Sequence, residues 1–504
     1  MSRYKKDYLR KADAHDHVRD FSLRKSFFVL MILAASFFLA LFSVHLESRV
    51  LFGALSTIVV ILISYLFWEF VLIFLYFWLV YSGAIRKWVL PGFSDIIYMF
   101  SILILTGVYV RYFIERYKYR DRLLFKHQVN LFLSIFLIWN LICVLNPLQT
   151  NIYVGLLGVF THLYMIPLAY VLPYLLKSVD QLFVYCKLFA LLAIPQLILA
   201  IVQFFSPLDS PINIYVGGEA GVIENIALVG LFPRITSTFS YLSGFEIYLN
   251  VLIFITVFLL SAGNLSKLFN RFLYIVLGLS TVTLFMTGDR STFFVTVVGV
   301  IAYLFVSGVF SLSIIKKSLL NIVISIVITV LFLVATPVGK PAVNAFLYRY
   351  KGGQQEMKMR TIRIYSDAFR FMKIAGLYGY GLGSTYQGAT AVGHDPTKLM
   401  YLFAGGFEEE PERIVVETGG VGFFLLYVLR VVIAYFFWKL YRNLNDGRLK
   451  QIALLCLLFQ LQFFGLTNLS FNPTNQIIYW IIIGFLFAFP MIDQKIQNTK
   501  HAKT

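Results

Sequence analysis

The chain has 504 residues, of which 59% are hydrophobic and only 13% are Asp, Glu, Lys or Arg, and its formal net charge is +18. Because about a quarter of the residues in soluble domains are charged, this composition excludes a soluble protein and predicts a polytopic membrane protein. In such a protein much of the positive charge belongs to cytoplasmic loops, so we expect no nucleic-acid partner.

The predicted elements begin with a basic cytoplasmic tail at residues 1–25, which precedes an apolar run at residues 26–44. No small-residue cleavage site follows this run, so we expect an uncleaved signal anchor. The apolar stretch at residues 50–85 is too long for one membrane crossing, and we split it near Trp68 and Glu69 into two helices. Further spans are predicted at residues 94–111, 128–146, 152–176, 183–205, 241–262, 272–288, 291–310, 318–338, 416–438, 451–469 and 475–492.

These segments predict an all-α polytopic integral membrane protein with about 12–14 transmembrane helices. Residues 26–338 form the first group of helices, residues 339–415 a large outer loop, residues 416–492 the last helices, and residues 493–504 a cytoplasmic tail. Most lysines and arginines then lie in cytoplasmic loops, as the positive-inside rule requires. Arg86 and Lys87 lie on the outer side instead, so either the split at 50–85 is wrong or these charges have a function.

The large outer loop contains QEMKMRTIRIYSDAFRFMKIAG, which has the apolar spacing of a helix and no internal glycine or proline. We expect an amphipathic helix that caps the membrane domain. Arg360, Arg363, Asp367 and Arg370 share one face of this helix. The resulting cationic stripe is either a ligand-binding surface, a solvated face, or an interfacial face in contact with anionic lipid.

Two further arginines are predicted at the outer ends of spans. Arg290 follows Asp289 in FMTGDRSTFF, between two apolar runs, and Arg234 precedes another span in GLFPRITSTFSYLSGFEIY. An arginine at this depth can simply extend its side chain toward the lipid headgroups. Two guanidinium groups on the same face are also suited to hold a phosphate or pyrophosphate.

Two residues near the end of the outer loop are candidates for acid–base chemistry. His394, in TAVGHDPTKL, can exchange a proton near neutral pH. Glu417, in ERIVVETGGVG, lies where we place the entrance of a helix, so it is either a base or an acid stabilised by the helix dipole. We expect the acidic run from Glu408 to Glu410 to be solvated.

Two ionisable residues fall inside predicted spans. We expect a structural role for His162, hydrogen-bonded to a neighbouring helix. Arg430 is expected to extend toward the inner headgroups, with a role in a cavity as the alternative. The glycine-rich GYGLGS at residues 379–384 follows no predicted strand, which argues against a nucleotide-binding loop.

Together these motifs resemble those of the O-antigen polymerase and ligase superfamily, integral membrane enzymes that transfer glycans from undecaprenyl pyrophosphate on the periplasmic face. The resemblance covers most of residues 75–440. It rests on the order GAIRKWVLPGFS, an arginine before TSTFS, TGDRST, an arginine before YGYGLGS, a histidine, and ERIVVETGGVG. The motifs look more like the polymerase branch than the ligase branch.

The resemblance implies that Arg234 and Arg290 hold the pyrophosphate. Arg363 looks like the arginine that precedes the glycine-rich element, and Arg360 on the same helical face joins it as a substrate-binding candidate. The implied reaction is glycosyl transfer without a metal or another cofactor. A base deprotonates an acceptor sugar hydroxyl, and fixed arginine charge stabilises the leaving polyprenyl pyrophosphate.

The resemblance also implies that His394 corresponds to the loop histidine of the ligases. The ligases usually have Asn after this histidine, whereas this chain has Asp395 and then a proline. This departure weakens His394 as the base and raises Glu417 and Asp395 as alternatives.

The implied location is the bacterial inner membrane, with both termini in the cytoplasm and the active site facing the periplasm. The expected partners are an undecaprenyl-pyrophosphate-linked glycan, membrane lipids and a chain-length regulator. A ligase that transfers finished polymer to lipid A core is the alternative within the family. Outside enzymes, the alternative is a lipid-linked oligosaccharide flippase, which would need charged or broken helices along a route through the bilayer.

Overall fold

The computed structural model describes residues 49–91, 94–119, 125–216, 227–262, 265–309, 313–337, 339–352, 354–403, 409–464, 467–470 and 472–501. These residues are mainly helical, and strands β1 (Leu228–Val229) and β2 (Phe232–Pro233) form a short antiparallel ladder. The basic tail at 1–25, the apolar run at 26–44 and Glu408 lie outside the described residues.

Most of the α-helices lie in the predicted apolar runs, because each run is long enough to present a continuous apolar surface to lipid or to neighbouring helices. The runs at 152–176 and 183–205 are each divided into two helices, and three helices between residues 340 and 402 lie in the predicted outer loop. Those of the first half are α1 Arg49–Leu66, α2 Val71–Ala84, α3 Ser94–Lys118, α4 Val129–Val144, α5 Ile152–His162, α6 Leu168–Leu175, α7 Val179–Leu191 and α8 Ala193–Phe205. Those of the second half are α9 Leu242–Ser261, α10 Lys267–Thr287, α11 Arg290–Val309, α12 Ser313–Ala335, α13 Lys340–Gly352, α14 Gln354–Ala375, α15 Pro396–Leu402, α16 Glu410–Asn443, α17 Gly447–Leu461 and α18 Pro473–His501.

Among the described residues, seven helical segments are long and apolar enough to cross a membrane. They are Trp68–Val89, Val179–Phe205, Leu242–Ser261, Lys267–Thr287, Arg290–Ser307, Glu410–Asn443 and Pro473–His501. The pair Leu320–Ala335 and Lys340–Lys351, bent by 90° at a short break, would be an eighth. The chain is therefore an all-α, multi-pass membrane protein, as its composition predicts.

The chain divides into two compact units, one formed by Met1–Tyr76 with Met99–Asp121 and the other by Phe77–Tyr98 with Arg122–Thr504. In the smaller unit Gly107 lies against the backbone of α1, where a Cβ atom would be 2.3 Å from Ile61 O, so these helices pack closely. The helix break predicted near Trp68 is present, since α1 ends at Leu66 and a short 3-10 turn precedes α2. All the residues discussed below belong to the larger unit.

Helix α16 reverses direction at Gly419, whose backbone has φ 68° and ψ −172°. The clearest sign is an ion pair between Glu410 and Arg430, with Oε2 and Nη2 2.5 Å apart. Twenty residues of straight helix would separate the two by about 30 Å, far more than their side chains can bridge. The helix also begins at Glu410, inside the predicted outer loop, and not at the predicted boundary near residue 416.

The amphipathic helix predicted in the outer loop is present as α14. Its apolar residues Ala368, Phe371 and Ala375 are buried, and α14 packs on α16. Arg363 and Arg370 are exposed on its other face. The predicted pattern therefore gives the correct helix and the correct buried side.

Candidate functional site

The glycine-rich turn, residues 376–385, is bound to the break in α16. The break leaves backbone groups on both sides of Gly419 without partners inside the helix, and the turn supplies them. Four backbone hydrogen bonds join the segments: Tyr380 N to Val416 O (2.7 Å), Gly381 N to Glu417 O (3.0 Å), Gly420 N to Gly376 O (3.0 Å) and Val421 N to Leu377 O (3.4 Å). The GYGLGS and ETGGVG motifs therefore form one structural unit.

Two glycines allow the close approach of these segments. Gly419 has φ 68°, and a Cβ atom there would be 2.2 Å from Leu377 O. Gly383 has φ 85°, and a Cβ atom there would be 2.5 Å from Val154 O of helix α5. Since L-residues rarely adopt this backbone conformation and no space exists for a side chain, both positions require glycine.

Glu417 is fully buried at the break, with 0% of its surface exposed. Its Oε2 accepts hydrogen bonds from His162 Nε2 (2.8 Å) and Gly383 N (2.8 Å), and its Oε1 accepts from Thr385 N (3.1 Å) and Thr385 Oγ1 (2.6 Å). A carboxylate offers about four lone-pair sites, so these donors occupy all of them. Glu417 could take a proton from a substrate only after one of these bonds is lost.

Glu417 lies at the end of the first segment of α16, two residues before the break at Gly419 where the second segment begins. His162, for which the sequence suggested a structural role, is the buried partner of this carboxylate. The proposed function of Glu417 as a base stays a prediction.

His394 is also buried, and both of its ring nitrogens lie within hydrogen-bond distance of a partner. Its Nε2 is 2.8 Å from Ser384 O, and its Nδ1 is 2.6 Å from Thr150 Oγ1. A carbonyl oxygen only accepts, so we assign the ring proton to Nε2, and the neutral ring then accepts a hydrogen bond at Nδ1. His394 thus presents a basic nitrogen to a hydroxyl group.

A single peptide group lies between His394 and Glu417. The C=O of Ser384 accepts from His394, and the N–H of Thr385 in the same peptide donates to Glu417. Since the C=O and N–H of a trans peptide point in opposite directions, the two side chains lie on opposite sides of it. The two predicted candidates are therefore brought together without touching each other.

The connection between α4 and α5 holds the glycine-rich turn and the residues that follow it. Three side-chain amides donate to backbone carbonyls there: Asn146 Nδ2 to Gly379 O (2.9 Å), Gln149 Nε2 to Leu382 O (2.7 Å) and Asn151 Nδ2 to Val392 O (2.8 Å). The side chains that carry these amides are short and start from a tight turn, so they fix the position of the backbone on both sides of Ser384. Sequence reasoning missed this contribution, although the polar stretch NPLQTN between two apolar runs was a visible signal.

Asp395, the third predicted base, is exposed and caps helix α15. Its Oδ1 accepts from Thr397 Oγ1 (2.6 Å) and Thr397 N (3.0 Å). These hydrogen bonds lower the pKa of the Asp395 carboxyl below its usual value, which makes it a weaker base. Its geometry is that of a helix cap, and its role as a base stays a prediction.

A second group of charged residues, the arginine cluster, consists of Arg234, Arg290 and Arg349 with Glu246 and Asp289. Arg234 Nη2 donates to Glu246 Oε1 at 2.8 Å, and its Nε donates to the backbone of the turn before Arg290, at Thr287 O (2.9 Å). Within this turn Asp289 caps α11, because its Oδ2 accepts from Thr292 N at 2.7 Å. The structure therefore places Arg234 against the turn that carries Arg290.

Arg349 of helix α13 is the member of the arginine cluster that sequence reasoning missed. Its charge interacts with those of Arg234, Arg290, Asp289 and Glu246, and its Nη1 donates to Leu228 O at 3.3 Å. Nothing in FLYRYKGG distinguishes this arginine from its basic neighbours, so only the fold assigns it to the cluster.

The remaining predicted arginines lie on α14. Arg363 is exposed there, and the side chain of Arg360 lies outside the described residues. On the same helix Asp367 pairs with Arg370 at 3.6 Å. The substrate-binding roles of Arg360 and Arg363 stay predictions.

Arg86 and Lys87 hold the segment that follows Arg234. Lys87 is buried, with 4% of its surface exposed. The two side chains make three hydrogen bonds to residues 236–240: Lys87 Nζ to Thr236 Oγ1 (2.6 Å), Lys87 Nζ to Ser237 O (2.8 Å) and Arg86 Nη1 to Ser240 Oγ (2.9 Å). The two side chains therefore have a structural function, whichever side of the membrane they lie on.

Two expectations about charged residues of α16 are wrong. Glu410, expected to be solvated, and Arg430, expected to extend toward headgroups, are each only 2% exposed and pair with each other. The reversal at Gly419 brings them together, which the local sequence does not reveal. A cavity of about 30 Å³ lies beside them and is also lined by His162 and Gln476.

The glycine-rich turn with its buried carboxylate and the arginine cluster are thus the two candidate sites in the part of the chain that the structure describes. Comparison with known proteins finds no family whose pattern matches the chain and no curated protein that matches it.

Proposed function

We propose that this chain is a membrane glycosyltransferase that polymerises undecaprenyl-pyrophosphate-linked oligosaccharide repeat units into a surface polysaccharide. The proposal places about 12–14 helices in the bacterial inner membrane, both termini in the cytoplasm, and the large loop with the active site in the periplasm. The observation that carries it is the arginine cluster, in which Arg234 is hydrogen-bonded to the turn before Arg290 and the charge of Arg349 interacts with both arginines.

Like charges repel one another, so three guanidinium groups are stable together only with negative charge nearby. Among the described residues, Glu246 and Asp289 are the acidic members of the cluster, and Glu246 pairs with Arg234 at 2.8 Å. A pyrophosphate at this position would receive charge-assisted hydrogen bonds from planar donors that match its oxygen geometry. The proposed role of the cluster is therefore to hold the donor and to stabilise the leaving pyrophosphate.

In the proposed reaction His394 is the base. Its Nδ1 accepts the proton of an acceptor sugar hydroxyl, which takes the place that Thr150 Oγ1 occupies at 2.6 Å. The sugar oxygen forms a bond to the anomeric carbon of the donor, and the bond from that carbon to the pyrophosphate breaks. The electron pair leaves with undecaprenyl pyrophosphate, on which the arginine cluster stabilises the added charge.

The test is polymerisation by purified protein in liposomes that contain the undecaprenyl-pyrophosphate-linked repeat unit, with a chelator present and products separated by size. We expect a ladder from the wild type and a loss of about 100-fold or more in Arg349→Ala, as for removal of a donor that stabilises transition-state charge. Arg349→Lys should restore little, because a point charge lacks the two-pronged guanidinium geometry. Arg442→Ala, at an exposed arginine of α16, is the matched control.

If Arg349→Ala and Arg290→Ala both form the same ladder as the wild type, the pyrophosphate assignment is refuted. Transfer to added lipid A core without a ladder would identify the ligase alternative, in which the same residues act on another acceptor. One observation supports the flippase alternative. Helix α16 is broken at Gly419, and two ionisable pairs, Glu410–Arg430 and His162–Glu417, are buried. Broken helices and buried ionisable residues are features of membrane carriers. Movement of the labelled lipid between leaflets with no new glycosidic bond would establish that alternative.

A further inference from the structure

His162 connects to His394 through a continuous series of hydrogen bonds. His162 Nε2 donates to Glu417 Oε2 at 2.8 Å, and Glu417 Oε1 accepts from Thr385 N at 3.1 Å. The Thr385 N–H belongs to the same peptide group as Ser384 O, which accepts from His394 Nε2 at 2.8 Å. Five residues, from three separate parts of the chain, thus share one hydrogen-bonded series.

This series decides which nitrogen of His394 is basic. Only Ser384 O determines that Nε2 carries the proton, and Glu417 fixes the orientation of the peptide to which this oxygen belongs. Rotation of that peptide would move the carbonyl oxygen away from Nε2 and leave both tautomers of the imidazole available. The basic nitrogen would then no longer be held at Nδ1, next to the hydroxyl of Thr150.

Glu417 in turn depends on His162. Its carboxylate is fully buried, so every missing donor is a cost that water does not offset. Without the His162 bond, Oε2 would keep only the bond from Gly383 N, while Oε1 would keep two bonds from Thr385. The carboxylate would rotate toward other donors, and the turn at 383–385 would lose its fixed orientation.

We propose that His162 is a positioning residue that, through Glu417 and the Ser384–Thr385 peptide, fixes the tautomer and orientation of His394. The proposal rests on the proposed function in that His394 is the base there. Its structural part, the control of the His394 tautomer, is independent of any activity and is tested separately.

The first measurement is the tautomer of His394, from the ring nitrogen chemical shifts of protein labelled with ¹⁵N-histidine. The chain has seven histidines, and the signals that disappear in His394→Asn identify this one. We expect a single Nε2–H tautomer in the wild type and in His162→Gln, whose amide keeps a donor for Glu417. His162→Leu, which has no donor, should give a mixture of tautomers.

His127→Leu is the matched control, since His127 packs against Phe436 and Phe487 and accepts a hydrogen bond from Val129 N, away from the glycine-rich turn. It should leave the His394 signals unchanged. If His162→Leu does not fold, His162→Asn replaces it, because its shorter amide stays polar but does not reach Glu417. An unchanged His394 tautomer in the variant that lacks the donor would overturn the proposal.

The second measurement is polymerisation. Loss of the His162 donor should lower kcat by about 10- to 100-fold with little change in KM. A positioned base contributes roughly 10²- to 10⁴-fold to the rate, and a base that is less well positioned should lose part of this contribution. His162→Gln should retain most of the activity. If the wild type forms no polymer, the proposed function is refuted, and the tautomer measurement alone decides whether His162 positions His394. If the wild type is active and His162→Leu is equally active, the positioning role is refuted.

Discussion

Replacing Arg430 with methionine removes one partner of a buried ion pair and leaves the Glu410 carboxylate without its cation. Glu410 would keep three donors, Ser470 N and Oγ at 2.8 Å each and Leu469 N at 3.2 Å. Breaking a buried pair in this way costs about 3–5 kcal/mol. Because the three donors remain, we expect the lower end, about 3 kcal/mol.

The expected change in melting temperature follows from the size of the chain. Unfolding entropy of about 2.1 cal/mol/K per residue gives about 1 kcal/mol/K for a chain of 504 residues, so about 3 kcal/mol corresponds to about 3 °C. The assay is thermal unfolding in detergent, with Arg442→Met at the exposed end of the same helix as control. The free energy of unfolding of that variant should lie within about 0.5 kcal/mol of the wild-type value.

The double variant Glu410→Gln with Arg430→Met separates the ion pair from simple packing. It no longer buries an uncompensated charge, so we expect it to recover at least half of the lost stability. Unfolding of Arg430→Met at the temperature of Arg442→Met would refute the reasoning, as would a double variant whose loss equals the sum of its single variants.

The other predictions concern backbone geometry and pH. Gly419→Ala should lower the free energy of unfolding by more than the roughly 1–2 kcal/mol that a left-handed backbone conformation costs an L-residue, because its Cβ would also lie 2.2 Å from a backbone oxygen. Thermal unfolding measures this loss, and Gly447→Ala, whose Cβ meets no atom within 4 Å, is the control. Gly83→Ala places a Cβ 2.3 Å from Ser240 N, so it should speed hydrogen exchange at residues 236–240; unchanged exchange would contradict the packing described. Because the pKa of Asp395 is lowered, its carboxylate caps α15 at neutral pH and the cap is lost as the pH falls through that pKa. Hydrogen exchange at residues 397–399 should then become faster, whereas in Asp395→Asn the exchange at these residues should not respond to this fall in pH.

The membrane class and the positions of the helices in the described residues could be predicted because they depend on local properties. An apolar run of about 20 residues must satisfy its backbone groups internally, so its length and composition alone predict a helix. The amphipathic pattern of α14 likewise gave its buried side, confirmed at Ala368 and Phe371. Arg234 and Arg290 were candidates for the same reason, since each stands beside an apolar run.

Local sequence patterns therefore indicate the class of the protein, most of its helices, and a short set of candidate residues. Which of these residues contact one another depends on the packing of distant segments. His162 reaches Glu417 across 255 positions, and Glu410 reaches Arg430 only because the helix reverses at Gly419. Such contacts arise when buried polar groups must find partners within the packed protein, and the identity of those partners depends on how distant segments of the chain come together.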